Sequence, residues 1–396
     1  MSPLDSVRIE RVKLKDLQAL AASAVDGASP GVFIPITKHR ALAMTHNPFA
    51  EPDDVALLLA KQGDRNVGYF GVMPVMLQHN SKLYKAHWLT TWAVAPEFLG
   101  KGLGSQLMEA ALALDVDLAI VGSKPARRVS TKYGFHELKP LEYVQLDFGV
   151  AGRYNPISLL LRLLRKLTSL VRLRLPIESL DRAFEKFFEA ILGWLVRPAL
   201  FSWALRITSS RLKDFRIEQV TRIQAPKLEQ PDKSHIGFYR DSRVVNWMLE
   251  YLWVRPVGKS ESQKLDYGFT DARDGFKISA WQLFSADGKN LGYVCFQSSR
   301  LRGRTVVKVL DSTFADGSNA GRLLALALRF ASQNHASMIE GTSELAESLP
   351  GNLLGRLLVI RRHRICQVHP RSADSPMAQA WQQIVQTYCD GDMAFT

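Results

Sequence analysis

The chain has 396 residues, of which 46% are hydrophobic and 22% charged, and its formal net charge is +13. That length is too great for one ordinary domain and suits two, with enough apolar content to bury sizeable cores. The three cysteines, Cys295, Cys366 and Cys389, have neither metal-ligand nor disulfide-framework spacing, so no metal is expected and a reducing, cytoplasmic setting is.

The N-terminal Met1-Ser2-Pro3-Leu4-Asp5 lacks an apolar core, so no signal peptide is expected. No uninterrupted apolar run reaches the length of a spanning helix. The positive charge favours anionic partners. No nucleic-acid-binding motif accompanies it, so nucleic acid is not an expected partner.

Residues 1–150 read as an α/β unit. A strand over Val7 to Val12 leads into a helix over Leu14 to Val25. Strands follow at Val55 to Ala60, Val67 to Leu77 and Leu83 to Ala95, then a helix from Ser105 to Leu114. A strand at Leu118 to Gly122, a short helix and a last strand near Tyr143 to Phe148 complete the unit.

Between the third of these strands and its helix lies Val94-Ala95-Pro96-Glu97-Phe98-Leu99-Gly100-Lys101-Gly102-Leu103-Gly104-Ser105. A strand, a glycine-rich turn and a helix start in this order leave several N–H groups without acceptors at the positive end of a helix dipole. The three glycines let backbone approach an anion, and Lys101 adds a cation, so the turn is a candidate phosphate or pyrophosphate site. The spacing fits neither the dinucleotide-binding fingerprint nor the P-loop.

This segment resembles motif A of the GNAT acyltransferase superfamily, a strand ending in Val-x-Pro followed by Arg/Gln-x-x-Gly-x-Gly/Ala and a helix. Gly102 and Gly104 match its small positions, while Leu99 stands where the family usually has Arg or Gln. Tyr133-Gly134-Phe135 is similar to the Gly-Phe signature that closes the domain. The resemblance implies acetyl-CoA or another acyl-CoA as co-substrate. Its pyrophosphate would lie on the backbone of Gly100, Lys101, Gly102, Leu103, Gly104 and Ser105, and its pantetheine arm along Trp92, Ala93 and Val94.

Acyl transfer needs a polarised carbonyl, a base for the acceptor and an acid for the leaving thiolate. His87 and Glu97 flank the strand as candidate bases. Tyr133 is the candidate acid, with Ser130 at the place where family members often carry tyrosine. Ser123 stands where these proteins often have Asn.

Residues 151–214 form a basic, leucine-rich, helical linker. From Ala151 to Leu175 there are six basic residues and no acid, and aromatic residues follow between Phe184 and Trp203. This composition suits an interfacial helix on an anionic membrane, so the stretch Ile157 to Leu175 is a candidate for peripheral membrane contact.

Residues 215–396 read as a second copy of the first fold. Asp287-Gly288-Lys289-Asn290-Leu291-Gly292-Tyr293-Val294 echoes Gly63-Asp64-Arg65-Asn66-Val67-Gly68-Tyr69-Phe70. The second copy lacks the glycine pair and carries Asp316 in the equivalent loop, so coenzyme A is expected only in the first. Asp241 and Asp311 are its candidate acceptor-binding residues.

Along its length the chain is similar to double-GNAT proteins found with bacterial surface-polysaccharide genes. The similarity rests on Asn47-Pro48-Phe49, Gly68 to Pro74, Phe238-Tyr239-Arg240-Asp241, Asn246-Trp247 and Asp390-Gly391-Asp392. It implies an α/β fold of two tandem mixed-sheet GNAT-like domains and an amino-sugar or glycan acceptor. Two alternatives stay open: a non-catalytic docking module at the membrane, and an aminoacyl-tRNA-dependent transferase of the peptidoglycan type.

Overall fold

Two mixed sheets with the same strand order carry the chain, as the computed structural model shows. It describes residues 6–148, 199, 201–208, 210–225, 236–258, 260, 265–301, 303–315, 319–349 and 358–391. The stretch Ile157 to Leu175, Asp316 and Asp392 lie outside the described residues. Among those described, no helix is long and apolar enough to cross a membrane.

In the first lobe, strand β1 (Val7–Lys13) pairs with β2 (Val55–Gln62), β2 with β3 (Arg65–His79), and β3 with β4 (Lys82–Val94), all antiparallel. Strand β4 then runs parallel to β5 (Asp117–Ile120). Helices α1 (Leu14–Asp26) and α2 (Lys38–Thr45) precede β2; α3 (Leu103–Leu112) and α4 (Lys124–Lys132) flank β5 in sequence.

Helix α3 buries Leu103, Leu107, Met108 and Ala111 against Phe70, Val72, Leu89 and Leu118 of the sheet. Their spacing of four, five and eight residues puts them on one helical face. The opposite sheet face packs Leu57, Tyr69, Met73 and Trp88 with α1, α2 and residues of the second half, including Trp247, Leu310 and Cys389. That core is therefore shared between the lobes.

The second lobe repeats the pattern. Strands β8 (Arg216–Val220), β12 (Lys277–Phe284), β13 (Asn290–Leu301) and β14 (Arg304–Phe314) pair antiparallel in that order, and β14 runs parallel to β15 (Met338–Thr342). Helix α5 (Ser242–Glu250) follows the short β9 (Gly237–Phe238), β10 (Arg255–Pro256) and β11 (Ala272–Arg273) pair parallel before β12, α6 (Asn319–Gln333) joins β14 to β15, and the short α7 (Glu344–Glu347) follows β15.

The closing strands are exchanged. The strand expected to finish the first unit, β7 (Leu141–Asp147), sits in the second sheet between β15 and β16 (Val359–Arg364). In return β17 (Gln367–His369) enters the first sheet between β5 and β6 (His136–Glu137). Apolar residues mark β7 as a strand, whereas the three-residue β17, with Val368 as its one apolar residue, carries no such pattern; for both, the partner strand is a long-range choice that local pattern does not encode.

Candidate active site

Strands β4 and β5 pair from Ala86↔Asp117 to Leu89↔Ile120 and then part. At the parting β4 carries a bulge. Phe70 faces Trp92 while Gly71 faces Thr90, so Thr91 is the extra residue. Its φ is +38°, an uncommon and strained conformation for a β-branched residue. Glycine at 71 makes room for the bulge, since a Cβ there would lie 2.6 Å from the Oγ1 atoms of both Thr90 and Thr91.

Beyond the bulge β4 runs into the glycine turn. Leu99 N–H donates to Pro96 O and Lys101 N–H to Phe98 O, each at 3.2 Å. Gly102, with φ +95°, starts α3 without a capping side chain. The first N–H groups of α3 have no intrahelical acceptor and point into the turn.

The end of β4, this turn and the start of α4 enclose a groove of about 290 Å³. Trp92, Val94, Leu99, Gly100, Gly102 and Gly104 line it, six of the residues picked out by the glycine turn and the preceding strand. Trp92 forms part of its floor, stacked on Phe70 with ring centroids 4.7 Å apart.

The other four residues assigned to the cofactor stand elsewhere around the turn. Lys101 lies outside, its ammonium 5.9 Å from the Phe98 ring centroid. Leu103 is fully buried beneath the turn, and Ser105 stands in the first turn of α3. Ala93 faces the opposite side of the sheet, where a Cβ on Gly268 would come within 3.1 Å of it. Phe98, Pro125, Ala126 and Val129 also line the groove and were not among the sequence candidates, and neither was Ser123 as a lining residue. The apolar positions of so short and polar a helix as α4 give no signal that they flank a groove.

The candidate acid and base residues do not converge on this groove. His87 is 4% exposed in mid-strand, and neither ring nitrogen has a hydrogen-bond partner. Burial lowers its pKa to about 4 from 6.5, with Asp54 and Lys85 acting in opposite directions. Glu97 is exposed on the outer side of the turn in an ion pair with Arg65. Its pKa is lowered, first by a hydrogen bond from its own backbone N–H.

Tyr133 donates to Glu109 Oε1 at 2.7 Å, a bond that raises the phenol's pKa. Ser130 is fully buried, and its hydroxyl is 2.6 Å from Gln367 Oε1 on the exchanged strand β17. It therefore ties the two halves together rather than facing the groove.

Neutral His87 carries a pH signature. The unfolded chain binds the proton near pH 6.5 and the folded one only near pH 4. Stability from this residue is complete above about pH 6.5 and is lost as pH falls toward 4, about 2 kcal/mol of it by pH 5. Denaturant melts at pH 7 and pH 5 should show a smaller pH slope for His87→Leu than for the unmodified chain. Equal slopes would reject this account.

In the second lobe Asp241 is the N-cap of α5 and accepts from Arg243 N at 3.0 Å and Val244 N at 3.2 Å. Capping explains its presence without a ligand. Asp311 accepts from Arg240 Nη1 at 3.1 Å and from Tyr293 Oη at 2.9 Å. It stands next to a bulge like that of β4, since Cys295 faces Asp311 while Phe296 faces Val309.

The place in this lobe that corresponds to the glycine turn is filled differently. A Cβ on Gly321 would collide with the guanidinium of Arg211, so that group rests on the start of α6. The adjoining cleft of about 730 Å³ is lined by Asp214, Glu344 and Glu347 against Arg211 and Arg322. Burial, with Glu347 next, raises the Glu344 pKa.

All three cysteines are free and buried, and burial pushes each thiol pKa up, Cys389 to about 12. Among the described residues no cluster of His, Cys, Asp and Glu could hold a metal ion.

Residues 30–135 match the Acetyltransferase (GNAT) family. The matched span holds the bulged strand, the glycine turn, α3 and Gly134-Phe135, and it marks the chain as an enzyme of the acyltransferase class. No curated protein matches.

Among solved structures, a GCN5-related N-acetyltransferase of Anabaena variabilis is similar at 9% identity and a TM-score of 0.46, over 93% of this chain and 73% of that one. One of Kribbella flavida gives 12% and 0.42, over 91% and 70%. Saccharomyces cerevisiae N-myristoyltransferase with bound myristoyl-CoA gives 10% and 0.44, over 93% and 83%.

Proposed function

We propose that this protein transfers an acyl group from an acyl-CoA thioester to the nitrogen or oxygen of an amino sugar or glycan precursor. The observation that carries the reading is the groove. A bulged, splayed strand runs into a glycine turn and an uncapped helix N-terminus, all on one wall.

The backbone N–H groups from Gly100 to Ser105 would hold the diphosphate with the helix dipole behind them. The pantetheine amides would lie along the unpaired edge of Trp92 to Val94. The thioester carbonyl would then reach the bulge, where backbone N–H groups polarise it for attack. The acceptor attacks the carbonyl carbon, its proton passes to solvent or a base, and the thiolate leaves along the groove.

Calorimetric titration with acetyl-CoA tests this. We expect one site per chain, because Arg211 occupies the corresponding place in the second lobe. No binding would overturn the reading in favour of a non-catalytic docking module, for which Leu99 in place of the family's Arg or Gln and the internally bonded Ser130 speak. Two sites per chain would contradict the assignment of the second lobe.

The basic stretch from 157 to 175 would hold the enzyme beside an anionic membrane and a lipid-linked acceptor at its cytoplasmic face. Co-sedimentation with anionic vesicles should fall with salt. A protein that stays in the supernatant at low salt rejects that part.

A further inference from the structure

Arg40 lies on α2 and is 5% exposed. Its Nη1 donates to Tyr267 Oη at 3.1 Å and its Nη2 to Thr90 Oγ1 at 3.2 Å. The guanidinium carbon sits 3.9 Å from the Trp253 ring centroid. Both acceptors are neutral hydroxyls. Among the described residues no carboxylate forms an ion pair with Arg40, and three of its five N–H bonds have no protein acceptor.

A buried guanidinium without a counter-charge is costly. Arg240, another arginine buried between the lobes, has two carboxylates against it, Asp311 at 3.1 Å and Asp390 at 2.6 Å. Arg40 stands out by its place as well. Thr90 is the first residue of β4 beyond the last pair with β5, and it directly precedes the bulged Thr91. The free donors of Arg40 are thus one side chain away from the opening where the reacting carbonyl would lie.

On this same face of the sheet, residues on either side of Tyr267 pack against the strands and against the approach to α2. Gly268 N–H donates to Tyr69 Oη at 3.2 Å, and a Cβ on Gly268 would touch both Ala93 and that hydroxyl at 3.1 Å. Ile34 N–H donates to Asp266 O, fixing this segment beside α2.

We propose that Arg40 receives a carboxylate carried by one of the two reactants, at the point where β4 opens. This rests on the acyltransferase reading and adds the chemical class of the substrate. A planar guanidinium with a stacked face and free edge donors suits a planar carboxylate through two parallel N–H bonds. The carboxylate has two sources: the far end of a dicarboxylic acyl group on the thioester, or the acceptor.

Two arms of one experiment separate the sources, using the full chain. The first titrates succinyl-CoA and acetyl-CoA. A preference for succinyl-CoA on the order of tenfold or more, lost in Arg40→Gln, assigns the carboxylate to the acyl group. The second arm titrates muramic acid and glucosamine into protein saturated with acetyl-CoA. A similar preference for muramic acid, lost in the same variant, assigns it to the acceptor.

Arg40→Lys keeps the charge without the fork and should retain part of either preference. It replaces Arg40→Gln if that variant fails to fold, and the ratios in the unmodified protein need no variant. A protein that binds both thioesters equally and shows no preference between the amino sugars overturns the role of Arg40 alone. A protein that binds neither thioester overturns the acyltransferase reading and this proposal together.

Discussion

Changing Gly102 to valine and Gly104 to leucine should lower acetyl-CoA affinity by a factor of about 100 or more while the protein stays folded. Gly102 has φ +95°, which a valine cannot adopt without moving the turn. A Cβ on Gly104 lies 3.2 Å from Trp92 Cζ2, so a leucine there projects onto the floor of the groove. Two or more N–H groups then lose their aim at the diphosphate. A hydrogen bond to a charged group is worth about 1.5–3 kcal/mol, and two such losses give a factor of about 100 or more.

The fold should survive because Leu103, Leu107, Met108 and Ala111 still anchor α3. Titration reads the affinity, and circular dichroism with a thermal melt reads the fold. Unchanged affinity in a folded double variant would remove the diphosphate from this turn.

The largest expected loss of stability comes from Arg240→Met. Arg240 Nη1 donates to Asp311 Oδ1 at 3.1 Å and its Nη2 to Asp390 Oδ1 at 2.6 Å, with the arginine side chain 11% exposed and that of Asp390 3%. Thr387 N–H and Oγ1 also donate to Asp390, at 2.6 and 2.8 Å. The cluster joins β14 of the second sheet, the C-terminal segment and β9 (Gly237–Phe238), which pairs with β3 of the first sheet.

Removing the cation leaves two carboxylates buried side by side, which costs about 3–5 kcal/mol. Burial already raises the Asp390 pKa against the pull of Arg240. Without Arg240 the folded state would hold a proton on this pair at a pH where the unfolded chain does not. Folded pKa values above the unfolded ones mean stability present at low pH and lost as pH rises. The gap between variant and unmodified chain should therefore be widest at pH 7 and shrink toward pH 4, in urea melts at each pH. A gap below about 1 kcal/mol at pH 7 would show that the cluster carries little of the contact between lobes.

The first site was legible in the sequence because its parts are adjacent. A strand, a turn with glycines at Gly100, Gly102 and Gly104 and an amphipathic helix are read within some twenty residues, and their physics is local. The repeat was legible for the same reason: the turn before Gly68-Tyr69 and the turn before Gly292-Tyr293 use the same residue types in the same order. His87 is a candidate by residue type and its place on the strand, and Ser130 by standing where the resemblance puts a tyrosine. Whether a titratable group meets solvent depends on what covers it, and both are covered.

By itself the sequence determined most of the first lobe's elements, the glycine turn and the repeat, because hydrophobic period, glycine placement and helix termini act over a few residues. Only the tertiary structure decided that β7 and β17 change places, since any apolar strand of suitable length can fill the gap beside β5 or β15. Only it placed Thr91 out of register, because a bulge is defined by the partner strand. Only it brought Arg40 of a short helix against Thr90, Tyr267 and Trp253, residues up to 227 positions apart. A buried charge takes its meaning from its neighbours, and those neighbours are chosen when the two lobes pack into one shared core.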